Sequence, residues 1–139
     1  MSLSIRNQLP GTVTSVTPGE VMATVKVRLD TGQEITAAVT LEAVQELGLT
    51  SGSAVRALIK STEVSLATAP VTGLSIRNQL PGTVTDVASG GAMARVKIQV
   101  AGGELTSAIT RDAVTALGLA AGSEVVALIK STEVSLSNA

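Results

Sequence analysis

Leu3-Ser4-Ile5-Arg6-Asn7-Gln8-Leu9-Pro10-Gly11-Thr12-Val13-Thr14 returns without change as Leu74-Ser75-Ile76-Arg77-Asn78-Gln79-Leu80-Pro81-Gly82-Thr83-Val84-Thr85. A second stretch, Ala57-Leu58-Ile59-Lys60-Ser61-Thr62-Glu63-Val64-Ser65-Leu66, returns as Ala127-Leu128-Ile129-Lys130-Ser131-Thr132-Glu133-Val134-Ser135-Leu136. Self-similarity at a fixed period means that one small supersecondary unit has been copied, and the unit sets the fold. The copies occupy residues 1–67 and 74–139, and residues 68–73 form a short Pro/Gly-marked linker between them. They fall out of step by one residue in the turn near Thr31-Gly32-Gln33.

Within the unit the pattern is mostly that of strands. Leu3 to Leu9 reads as extended and Pro10-Gly11 as a turn. Thr12 to Val16 is β-branched and leads to a second turn at Thr17-Pro18-Gly19. Val21, Ala23, Val25, Val27 and Leu29 then alternate with more polar neighbours, the period of a strand with one buried face. Asp30-Thr31-Gly32 closes that strand and Glu34 to Val39 returns. Thr40 is placed to cap a short helix over Leu41 to Leu47, with Glu42 in its first turn and Gly48 at its end; the counterpart runs from Thr110 to Gly118. Ser51-Gly52 leads into a strand over Ala54 to Ile59, then Lys60-Ser61-Thr62 and a last extended piece, Glu63 to Leu66. The expected architecture is all-β: two OB-like five-stranded β-barrels in tandem, each with one short helix.

Composition narrows the chemistry. The 139 residues include no Cys, no His and no aromatic side chain. That removes disulfides, thiolate metal sites, the usual imidazole ligands and the usual general base. The 11 acidic residues are scattered and form no calcium-loop motif. No nucleophile–base pair can be drawn, so the expectation is a protein that is not an enzyme and holds no metal by direct ligation. A core of Val, Leu, Ile and Ala alone buries little area per residue, which makes a lone repeat marginal and favours assembly. The chain shows no run of 18 apolar residues and no signal-peptide pattern, so a cytoplasmic location without membrane contact is expected. With a formal net charge of -1 there is no general basic field, and any anion must be held by local groups.

Two repeated segments supply such groups. Ser-Ile-Arg-Asn and Lys-Ser-Thr together offer two cations, several hydroxyls and an amide, and neither short motif holds a carboxylate. A tetrahedral dianion suits that set: charge-assisted hydrogen bonds from Arg6 and Lys60, neutral donors from Ser4 and Ser61. Thr40, at a helix start, adds a hydroxyl beside backbone N–H groups. The same residues also admit a plainer reading. Basic side chains at strand ends are commonly solvated, Ser-Thr pairs commonly cap turns, Glu63 can pair with Lys60, and a recent duplication leaves identical motifs whatever their role.

Ser-Ile-Arg-Asn-Gln near the start, Val-Thr-Leu-Glu-Ala-Val-Gln-Glu-Leu-Gly-Leu in the middle and Ala-Leu-Ile-Lys-Ser-Thr-Glu-Val at the end resemble the Mop, or molbindin, domain, here in its tandem di-Mop form. The resemblance covers both repeats. Ile5 and Ile76 depart mildly from the Ser-Ala-Arg-Asn often found in the family. It implies an intracellular molybdate- or tungstate-binding protein for molybdenum storage or homeostasis, assembled as a homotrimer, with oxyanions at repeat and subunit interfaces and no other cofactor. Carried over by motif, the oxyanion-binding candidates are Ser4, Ile5, Arg6, Asn7, Thr40, Lys60 and Ser61 in the first repeat. Ser75, Ile76, Arg77, Asn78, Thr110, Lys130 and Ser131 match them in the second. The isoleucines enter through their backbone N–H groups.

Two alternatives belong to other classes. Mop domains also occur fused to DNA-binding helices or to importer ATPases, so an anion-responsive regulatory or interaction module is one. Neither a helix-turn-helix nor a phosphate-binding G-x-x-x-x-G-K motif lies within these 139 residues. The other is an OB-type nucleic-acid binder, which the absence of aromatic stacking platforms and of a basic groove argues against. No nucleic-acid partner is expected.

Overall fold

The computed structural model describes residues 2–101 and 103–139. The first repeat runs β1 (Asn7–Pro18), β2 (Met22–Leu29), β3 (Glu34–Thr40), α1 (Leu41–Leu47), β4 (Ala54–Ile59), a 3-10 turn (Ser61–Glu63) and β5 (Ser65–Ala67). The second runs β6 (Asn78–Ser89), β7 (Met93–Val100), β8 (Gly103–Thr110), α2 (Arg111–Leu117), β9 (Glu124–Ile129), a second 3-10 turn (Ser131–Glu133) and β10 (Ser135–Asn138).

Pro10-Gly11 is not a turn. The expected strands over Leu3–Leu9 and Thr12–Val16 are one long β1, because its two halves serve different neighbours. Residues 7–12 pair with β4 and residues 11–18 with β2, with a bulge between Val13 and Ser15 that bends the strand. Pro10 is tolerated because its carbonyl points to the β2 side, where it accepts from the Asp30 N–H at 3.1 Å just as that ladder begins; its missing N–H lies on the same side. Gly11 is there for close approach. A Cβ at this position would sit 2.7 Å from the Arg28 carbonyl oxygen, and at Gly82 2.6 Å from that of Gln99.

The alternation in β2 holds for Ala23, Val25, Val27 and Leu29, which are all buried. Val21 departs from it: the strand starts one residue later and Val21 is 72% exposed. The helices fall where the caps predict. Thr40 Oγ1 accepts from the Ala43 N–H at 3.1 Å, and Gly48 ends α1 in the left-handed region at φ 63°. Thr110, Ala113 and Gly118 repeat the arrangement in α2.

The strand order departs most from a picture of two separate units. One antiparallel sheet runs β10-β4-β1-β2-β3 and the other β5-β9-β6-β7-β8. Each repeat therefore gives its last strand to the other. Ser135 pairs with Leu58 and Leu136 with Ala57, while Ser65 pairs with Leu128 and Leu66 with Ala127. The registers are equivalent, so the exchange is reciprocal. The edge strands β10 and β3 touch, as do β5 and β8, which curls each sheet towards closure.

The core answers the shortage of large side chains in the same way. Val13, Val25, Val27, Ile35 and Ile59 join Val84, Val96, Ile98, Leu105 and Ile129 in one continuous buried cluster. Pooling two small cores raises the buried fraction that neither repeat would reach alone.

Candidate functional site

The β1–β4 ladder ends at the pair Asn7–Ile59. Beyond that rung the two chains part, and they are the two donor-rich motifs: Ser4-Ile5-Arg6 on one side, Lys60-Ser61-Thr62 on the other. Those six residues line a cleft of about 270 Å³. The β6–β9 ladder ends at Asn78–Ile129, and Ser75, Ile76, Arg77, Lys130, Ser131 and Thr132 line a second cleft of about 340 Å³. A larger hollow of about 390 Å³ beside the linker has Glu124 as its one charged lining residue, the wrong sign for an anion.

Local hydrogen bonding engages the backbone carbonyls of the first motif. Arg6 Nη2 donates to the Leu3 carbonyl at 2.7 Å and Nε to the Ser4 carbonyl at 3.2 Å; Gln8 Nε2 donates to the Ile5 carbonyl at 3.1 Å. Three successive carbonyls thus accept hydrogen bonds, and the remaining guanidinium N–H groups stay uncommitted among the described residues. Arg77 donates to the Leu74 carbonyl at 2.8 Å and Gln79 to that of Ile76 at 3.2 Å. Gln8 and Gln79 were not among the expected site residues, nor were Thr62 and Thr132. The verbatim return of Ser-Ile-Arg-Asn-Gln and Lys-Ser-Thr was the signal that held them.

The cations are not neutralised from within. Among the described residues the ion pairs are Arg95–Asp86 at 3.7 Å and Lys97–Glu104 at 3.6 Å, both exposed. Glu63 makes no pair with Lys60; its backbone N–H donates to the Lys60 carbonyl at 2.9 Å, closing the 3-10 turn, and its carboxylate stays outside the cleft lining. Ser61 Oγ is buried and has no hydrogen-bond partner among the described residues. A buried hydroxyl without a partner is costly, and this one belongs to a cleft with two basic residues.

The expected set does not all converge. Ser4, Ile5, Arg6, Lys60 and Ser61 come together, and so do Ser75, Ile76, Arg77, Lys130 and Ser131. Thr40 and Thr110 line neither cleft, and their hydroxyls are engaged as helix caps. Asn7 and Asn78 are buried and point across the molecule. Asn7 Nδ2 donates to the Thr106 carbonyl and its Oδ1 accepts from the Thr106 N–H, both at 2.8 Å; Asn78 does the same with Thr36. Each amide works as an extra sheet rung between repeats, so neither side chain is presented to the cleft.

Residues 3–66 and 74–136 each match the TOBE domain. The chain belongs to the TOBE-domain family, in two tandem copies. The two TOBE repeats are 40% identical over 137 residues to the molybdenum transport protein ModE of Azotobacter vinelandii, covering 98% of this chain and 51% of that protein. They are 41% identical over 135 residues to the molybdenum-pterin-binding protein MopB of Rhodobacter capsulatus, covering 96% and 50%. The chain thus spans about half the length of these curated relatives. The crystal structure of the cytoplasmic molybdate-binding protein ModG with molybdate bound superposes with a TM-score of 0.97 at 39% identity, covering 100% of both chains. The tandem OB-like fold expected from the sequence is therefore shared along the whole chain.

These relatives are named as binding, transport and regulatory proteins. No helix among the described residues is long and apolar enough to cross a membrane, and no group of three or more Asp or Glu residues gathers as a metal site.

Proposed function

We propose that the two TOBE repeats bind molybdate or tungstate as intact oxyanions, with no other cofactor, and serve molybdenum storage or homeostasis in the cytoplasm without catalysis. The observation that carries this reading is the cleft itself. Arg6 and Lys60 face it without a carboxylate, Ser61 offers a hydroxyl with no partner among the described residues, and neighbouring carbonyls already accept hydrogen bonds. A cleft with two cations and no carboxylate favours a fully ionised tetrahedral anion over hydrogen phosphate, whose proton would have only hydroxyl oxygens to meet. Support also comes from full-length likeness to a protein crystallised with molybdate.

Self-association as a homotrimer fits this reading, since partial desolvation at a subunit interface strengthens charge-assisted hydrogen bonds. Val21, Met22 and Met93 are large apolar side chains left exposed at the strand ends, and they are candidates for such a contact. The decisive measurement is calorimetric titration of the full chain with molybdate in a sulfate-free buffer at neutral pH. Binding at micromolar affinity or better is expected, and a loss of at least tenfold in Lys60→Ala, Lys130→Ala chains. An absence of binding by the unmodified chain would reject the reading.

The second reading is that the pair of repeats is the anion-responsive part of a regulator. The ModE relatives are about twice as long as the segment matched here, and one of them is named a transcriptional regulator. A nucleic-acid contact by these repeats themselves lacks the stacking side chains such surfaces use.

A further inference from the structure

The structure assigns to Ser107 a positioning role for the first cleft that has no equivalent at the second, so that the two clefts differ in affinity for the same oxyanion. The assignment rests on the anion-binding reading above for its ligand. Its geometry is independent of that reading.

Each cleft is propped by the other repeat. The 3-10 turn Ser61–Glu63 packs against β8, and the turn Ser131–Glu133 packs against β3. On β8, two successive residues hold the two walls of the first cleft. The Thr106 backbone grips Asn7, the residue after Arg6, through two hydrogen bonds of 2.8 Å. Ser107 Oγ donates to the Val64 carbonyl at 2.6 Å, just beyond the turn that carries Lys60 and Ser61. Ser107 and Val64 are both fully buried, where little water competes for the bond.

On β3 the first of these holds is repeated and the second is not. The Thr36 backbone grips Asn78 as Thr106 grips Asn7. The residue equivalent to Ser107, by its pairing opposite Val25 where Ser107 lies opposite Val96, is Ala37, which has no hydroxyl. The second turn therefore keeps the same donors with one anchor fewer. Ser107 does not line the cleft; it acts by fixing the turn that does. A donor set held in place loses less freedom on binding, so the first cleft is the tighter of the two.

The test is calorimetric titration of the full chain with sodium molybdate, alongside hydrogen exchange of the ligand-free protein. Two affinity classes are expected, with Ser107→Ala weakening the tighter class about three- to tenfold, the range of one buried hydrogen bond. Ala37→Ser should instead strengthen the weaker class, an effect that general destabilisation cannot produce. Exchange at Glu63 and Val64 should be slower than at Glu133 and Val134, and the gap should close in Ser107→Ala. A single class unmoved by either substitution, or equal exchange at the two turns, overturns the assignment. A chain that binds no molybdate but keeps the exchange difference rejects the functional reading and leaves the anchor standing.

Discussion

In the first repeat the turn bearing Lys60 and Ser61 leans on a strand that offers it a buried serine; in the second, the same turn with the same residues meets an alanine. The cleft residues themselves are identical, so a comparison of motifs would score the two sites as one. The difference lies in the supporting strand, and that strand belongs to the other repeat. The residues that line the two clefts are the same in both copies, while the residue behind the turn is Ser107 in one and Ala37 in the other. Equality of motif is not equality of site when each copy is held up by its partner.

The sharpest way to break the comparison is to remove one exchanged strand. Deleting residues 135–139 takes β10 from β4, in the first repeat, and leaves β9 with its neighbour β5. Amide exchange should lose protection over residues 54–59 while residues 124–129 keep theirs. Loss confined to β9 would mean that each repeat retains its own last strand in solution.

Next in size are the paired amides. Asn7→Ala removes two part-buried hydrogen bonds and strands the Thr106 backbone groups, at about 2–4 kcal/mol. Asn78→Ala should cost a similar amount through Thr36, and urea unfolding of both variants measures the match. A gap of more than about 1.5 kcal/mol between them, on the scale of a whole hydrogen bond, would show that the two repeats do not grip each other equally. Smallest is the helix end. Gly48→Ala and Gly118→Ala each force a side chain into the left-handed region, for about 1 kcal/mol, equally in both repeats. Thermal melts that separate the two variants clearly would extend the asymmetry beyond the clefts.

Much of the fold was legible because the signals were local. The alternation from Ala23 to Leu29 reports a half-buried strand whatever surrounds it, and Thr40 with Gly48 brackets a helix through bonds within a few residues. Pro10-Gly11 misled for the opposite reason. In isolation the pair is a turn signal, but a strand that changes neighbours there can use a residue lacking an N–H and one lacking a side chain. Of the candidate site, the charged and hydroxyl residues of the two motifs were readable from donor chemistry. Thr40 and Asn7 were not separable from them, since a hydroxyl or an amide serves a cap or a rung as readily as a ligand.

The sequence by itself determined the repeat, the strand periods, the helix caps and the donor character of Ser-Ile-Arg and Lys-Ser-Thr. All of these depend on side-chain chemistry or on spacing within a few residues. It left open which sheet each last strand joins, because Ser65-Leu66 and Ser135-Leu136 are the same pair and fit either partner in the same register. Only the tertiary structure decided that exchange, and with it the other repeat as the support of each cleft. Partner choice between identical strands is a property of how the whole chain packs its pooled core, and no local pattern encodes it.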